Sequence, residues 1–91
     1  MELEWDAGKA ADNERKHGVS FMEAASCFWD PLQVAFHDPD HSDEEDREIL
    51  IGHSNRDRLL MVVYTLRAET IRIVSARRAT RKEAKDHERG I

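Results

Sequence analysis

The chain is poor in the residues that staple or break small folds: one cysteine, two prolines, four glycines and one tyrosine among 91 residues. A lone Cys27 excludes an internal disulfide and makes a reducing cytoplasm the natural setting. No segment approaches the roughly 18 apolar residues of a membrane helix. The opening "MELEWD" is acidic rather than signal-like, so no membrane partner is expected. Repeats and low-complexity tails are also lacking, which leaves one domain over residues 1–91. Domains of this size bury only about 60–65% of their unfolded surface, so a partner that covers exposed surface would help stability.

Recognisable metal motifs are missing too. Residues 37–48, "HDPDHSDEEDRE", hold two histidines and seven acids. They lack the glycine-bearing order of a calcium loop, and no H-E-x-x-H helix occurs. A solvated acidic loop is expected there, and neither a metal nor another cofactor is expected to take part.

What is present is charge, unevenly placed. The net charge of −5 speaks against nucleic acid when taken as a whole. Residues 1–55, however, carry four Lys or Arg against fourteen Asp or Glu, whereas residues 56–91 carry ten against five. Such a division points to a local basic surface.

The order of elements follows from periodicity and punctuation. The short apolar opening "LEW" gives a first strand; Asp6 then caps a helix that runs to about His17, and Gly18 suits the left-handed position that ends it. Ser20 and Glu23 form a capping box, with Val19 at the staple position. Phe21, Ala24, Ala25 and Phe28 then make one apolar face until Pro31 stops the helix. Strands are expected at "LQVAFHD", "REILIGHS", "RLLMVVYTL" and "IRIVSARR", joined by the turns "NRD" and "RAE". Thr80 and Glu83 repeat the capping box before a last helix of about eight residues. The expected fold is α+β: two N-terminal helices packed on one face of a three- to four-stranded, mainly antiparallel sheet, with a short C-terminal helix. Trp5 and Trp29 are expected in core or partner contacts, Tyr64 packed, and Cys27 inert.

Strict alternation along the last strand places Ile71, Ile73 and Ser75 on one side and Arg72, Val74 and Ala76 on the other. With the isoleucines beneath the helices, Arg72 lies on the open side and Arg77 and Arg78 at the strand's exit. Guanidinium groups around a concavity suit phosphate, because each offers a planar fork of donors. On the first helix, Lys9, Asn13, Lys16 and His17 share one polar stripe, with Ala7, Ala10 and Ala11 opposite. A guarded sheet edge and an ordinary wet helix face are the plain alternatives.

"EWD", "NERKHGVSFMEAA", "DP", "REILIGHS", "VVYT" and "IRIVSARRAT" occur in the order and spacing of the BrnT toxins of bacterial type II toxin–antitoxin pairs. The chain resembles that family over nearly its whole length. The resemblance implies a RelE-like fold and a metal-free ribonuclease that arrests translation. It also implies neutralisation by a BrnA-type antitoxin, with DNA reached only indirectly through that partner. One departure is plain: family members often carry an arginine after the glutamate of the last helix and a tyrosine near the chain's end. Here Ala84 follows Glu83, and Asp86 and His87 stand where the tyrosine would be, which makes His87 a candidate substitute.

Cleavage of this kind uses the RNA 2′-hydroxyl as nucleophile, so the protein supplies a base, an acid and cations for the phosphate. His17 and His87 are the proton-transfer candidates, and Arg72, Arg77 and Arg78 the cations at the reacting phosphate. Lys9, Asn13, Lys16 and Arg47 are candidates for RNA binding. A non-catalytic module that works through its partner, as co-repressor with a DNA-binding antitoxin, is the alternative reading.

Overall fold

The computed structural model describes residues 2–38 and 46–90. The acidic stretch 39–45, expected to be a solvated loop, lies outside the described residues. The elements are β1 (Glu2–Glu4), α1 (Ala7–His17), α2 (Phe21–Ser26) continued by a 3-10 turn (Cys27–Trp29), β2 (Val34–His37), β3 (Arg47–His53), β4 (Leu59–Arg67), β5 (Thr70–Arg78) and α3 (Arg81–Glu88). The sheet order is β1-β5-β4-β3-β2, parallel at β1–β5 and antiparallel elsewhere. The α+β class is as expected, with five strands rather than three or four, because "ELE" pairs with the start of β5.

Local chemistry sets the helix ends. Asp6 accepts from the Lys9 amide at 2.9 Å, and Gly18, at φ 68°, donates to the Glu14 carbonyl at 2.9 Å. Arg15, Lys16 and His17 occupy the last turn of α1, where the helix dipole favours cations. Ser20 caps α2, but Glu23 does not complete the box. Its carboxylate is buried instead, accepting from Ser54 Oγ at 2.6 Å and from Arg58 Nε at 2.9 Å. That network ties α2 to the β3–β4 turn.

The core lies between the sheet and α1 and α2. Phe21, Leu50, Leu60 and Ile73 are buried almost completely, each contributing about 1.5–3 kcal/mol of transfer free energy. Trp5 meets Phe21 edge-on at 6.1 Å, and Phe28 meets Tyr64 at 5.1 Å. Trp29, by contrast, is 72% exposed and is no part of the core.

Two features of the fold position the candidate site. First, β5 carries a bulge: Tyr64 pairs with Ile73 and Val63 with Ser75, so Val74 is the extra residue. A bulge reverses which side of the sheet each later residue faces. Ile71, Ile73 and Ala76 are therefore buried, while Ser75 turns outward, which corrects the face assigned to Ser75 and Ala76 by alternation. Second, α3 does not join the other helices. It reaches over the opposite face, where Glu83, Asp86 and His87 border a hollow with Val34, Phe36, Ile51 and Met61.

Candidate active site

Asn13 fixes α1 to β5 and thereby sets the position of His17 one turn later. Its side-chain amide donates to the carbonyls of Ala76 at 2.8 Å and Val19 at 3.0 Å, and its oxygen accepts from the Ala76 amide at 3.1 Å. β1 pairs only with residues 70–72, so beyond that point one side chain stands in for a neighbouring strand. Asn13 is the buried residue of α1 and not part of an exposed polar stripe; of the alanines opposite that stripe, which promised only a weak anchor, Ala7 and Ala11 are exposed. The reason is chemical: an alanine face buries too little area to hold a helix, whereas three satisfied hydrogen bonds in a dry setting do. Lys9, Lys16 and His17 remain exposed around it.

On the face away from the core, three cross-strand rows run over β3, β4 and β5: Arg47–Thr65–Arg72, Ile49–Val63–Ser75 and Ile51–Met61–Arg77. A hollow of about 350 Å³ opens over these rows, with Ile49, Met61 and Val63 as an apolar floor and His17, Asp38, Arg47, Ser75 and Arg77 as polar walls. Thr65 is buried in the row at one end, and its hydroxyl has no hydrogen-bond partner among the described residues.

Arg77 is held by Glu83. Its Nη1 and Nη2 lie 2.8 and 2.9 Å from the two carboxylate oxygens, and Nη2 also lies 3.0 Å from Met61 Sδ. The same carboxylate accepts from the Thr80 amide at 2.8 Å, completing the capping box of α3. The Arg77 guanidinium holds the Glu83 carboxyl down to about 2, and Glu83 in turn raises Arg77. The resting hollow therefore contains a cation already paired with an internal anion.

His17, Arg47 and Arg77, which the sequence singled out, come together at this hollow. The other candidates do not. Arg72 is on the same face but turns to the sheet edge, 3.5 Å from Glu4. Arg78 pairs in register with Leu60 and so belongs to the opposite face, which breaks the expected cluster of three arginines. The physical reason is that successive residues of a strand point apart, so Arg77 and Arg78 cannot both enter one concavity. His87 stands away from the hollow, with its ring 5.9 Å from that of His53. Sequence reasoning missed Glu83 as the partner of Arg77, reading it only as a cap, and missed Ser75 because the bulge has no signature in the residues around Val74. Asp38, buried at the rim, stood in the sequence only as the end of an expected strand and part of an acidic run.

A family model described as "Ribonuclease toxin, BrnT, of type II toxin-antitoxin system" matches residues 5–83. Among solved structures, the chain is similar to the ribonuclease toxin BrnT of Brucella abortus, determined at 1.1 Å resolution. The two share 25% sequence identity and a TM-score of 0.65, over 89% of this chain and 99% of the Brucella chain. No curated protein matches.

Proposed function

Because the chain belongs to the BrnT family of ribonuclease toxins of type II toxin–antitoxin systems, we propose that the hollow bounded by His17, Arg47 and Arg77 is where RNA is cut, without a metal ion in the chemical step. The observation that carries this reading is the convergence of an imidazole and two guanidinium groups from α1, β3 and β5 around one concavity. In the proposed reaction the 2′-hydroxyl oxygen attacks the adjacent phosphorus while His17 takes its proton. The bond to the 5′-oxygen breaks, that oxygen takes a proton from solvent water and leaves as a hydroxyl, and a 2′,3′-cyclic phosphate remains. Arg77 and Arg47 stabilise the charge that gathers on the phosphate oxygens. Lys16 and Lys9, exposed along α1, hold the flanking RNA backbone. Asn13 serves by positioning His17, and Arg72, Arg78 and His87 stand outside the chemical step.

The partner in this reading is a BrnA-type antitoxin that binds DNA, so that contact with DNA is indirect, and the cellular outcome is arrest of translation in the cytoplasm by a RelE-like toxin. No helix among the described residues is long and apolar enough to cross a membrane.

The experiment is cleavage of an unstructured RNA in EDTA. Wild-type protein should yield cyclic phosphate ends, and a substrate with 2′-deoxyribose at the cut should resist. Arg77→Ala should lose on the order of 10²–10³ in rate, and Arg72→Ala far less. Equal activity of wild type and a folded Arg77→Ala, His17→Ala double variant would remove this hollow from the mechanism.

A further inference from the structure

The second cluster of titratable side chains lies on a different part of the surface. Asp30 ends the 3-10 turn, His53 ends β3, and His87 lies near the end of α3. One potential ligand atom from each falls within 4.8 Å of the others. Asp30 is fixed in place. Its Oδ1 accepts from the Leu32 amide at 3.0 Å, and its Oδ2 accepts from the His53 amide at 2.7 Å and lies 3.2 Å from His53 Nδ1. The two imidazole rings stand 5.9 Å apart at 59°. The His53 side chain is 44% exposed and that of Asp30 only 9%, so an ion would be reached from solvent and held from below.

We propose that Asp30, His53 and His87 form a binding site for a divalent transition-metal ion, zinc by preference, which cross-links α3 to the 3-10 turn and the end of β3. Two imidazoles and one carboxylate are the borderline donors that zinc selects, with a remaining position for water. Tetrahedral coordination at about 2.0–2.1 Å brings ligand atoms to roughly 3.3 Å from one another. Closing from 4.8 Å asks only for small rotations of two surface rings. The backbone amides on Asp30 supply the outer-shell support that orients a ligating carboxylate.

A simple ion pair between Asp30 and His53 leaves the approach of His87 unexplained. His87 follows Glu83 by one helical turn, so both project from one side of α3. Glu83 anchors the start of the helix to Arg77, and the ion would anchor its end to β3. Bound metal would therefore hold in place the helix that keeps Arg77 paired. This role is separate from RNA cleavage, and its test needs no RNA.

The test is titration of the full chain with Zn²⁺ by calorimetry and with Co²⁺ by visible absorption, alongside thermal unfolding. Wild-type protein should bind one ion per chain with micromolar or tighter affinity, and Zn²⁺ should raise its Tm. His53→Ala and His87→Ala should each weaken binding at least tenfold and abolish the Tm rise, while His37→Ala keeps both. Two results would overturn the proposal: no uptake by the wild-type chain at millimolar Zn²⁺, or undiminished affinity in folded His53→Ala and His87→Ala proteins.

Discussion

Arg77 and Glu83 form a two-pronged ion pair at the edge of the hollow, at 2.8 and 2.9 Å. A phosphate entering that hollow meets a guanidinium whose fork is already filled by a carboxylate. On the proposed reading, Glu83 competes with that phosphate for Arg77. Glu83→Gln keeps the capping geometry, since glutamine also serves at that helix position, but removes the negative charge. The expected result is several-fold tighter RNA binding at low salt, measured by anisotropy, with a Tm lower by a few degrees. Unchanged RNA affinity would show that Glu83 does not compete.

The same pair makes stability depend on pH in a known direction. The folded-state value of Glu83 lies near 2, below its ordinary 4.5. Glu23 is likewise held low, chiefly by its hydrogen bond from Arg58. A carboxyl that is more acidic in the folded state stabilises fully above its unfolded value, and this contribution fades as pH falls toward the folded one. Unfolding monitored by circular dichroism should therefore show loss of stability between about pH 4.5 and 2. For Glu83, whose partner is partly exposed, solvent screening limits the share to about 1 kcal/mol. Glu83→Gln should flatten part of that acid limb, and an unchanged limb would remove the pair from the balance.

Cys27 offers a probe of the core that leaves the site untouched. Burial pushes its thiol up to about 12, helped by the nearby charges of Glu23 and Asp30. The thiolate is the reactive form, so almost none is present near neutral pH. Iodoacetamide at pH 8 should leave the native chain unmodified over hours and label it within minutes in denaturant. Rapid labelling of native protein would mean that α2 opens readily from the sheet.

Much of the frame was readable in the residues. Asp6, Gly18, Ser20 and Thr80 mark helix ends through local hydrogen bonding, which depends on neighbours in sequence and so leaves a short-range signal. The strands from 47 to 78 announce themselves by short apolar runs rich in β-branched residues and bounded by turn residues. His17, on the polar stripe of α1, and Arg47 and Arg77, in strands otherwise committed to a core, were singled out from the residues alone, and all three line one hollow. What failed to show was long-range. The bulge at Val74 reversed Ser75 and Ala76 without any glycine or proline to mark it. An opening strand ahead of the helices was legible, but its parallel pairing with the start of β5 joins the two ends of the chain and leaves no local signal. The apposition of Glu83 with Arg77 needs α3 to cross to the other face of the sheet, which no local pattern encodes.

Asn13 shows how far a single polar residue can decide such a fold. It is 6% exposed and makes three hydrogen bonds to the backbone of Val19 and Ala76. Asn13→Ala strands one amide and two carbonyls in a setting that water reaches poorly, at a cost of roughly 2–3 kcal/mol. For a domain of this length that corresponds to a fall in Tm of about 10 °C or more. Asn13→Asp restores the acceptor for the Ala76 amide but removes both donated bonds and buries a charge, so it should be no more stable than the alanine variant. Activity should fall further than stability at permissive temperature, because His17 sits one turn beyond the lost anchor and loses its register with Ser75 and Arg77. The measurement pairs chemical unfolding with cleavage rates at a temperature where both variants are fully folded. Wild-type rates in folded Asn13→Ala would show that His17 is placed by something other than this clip.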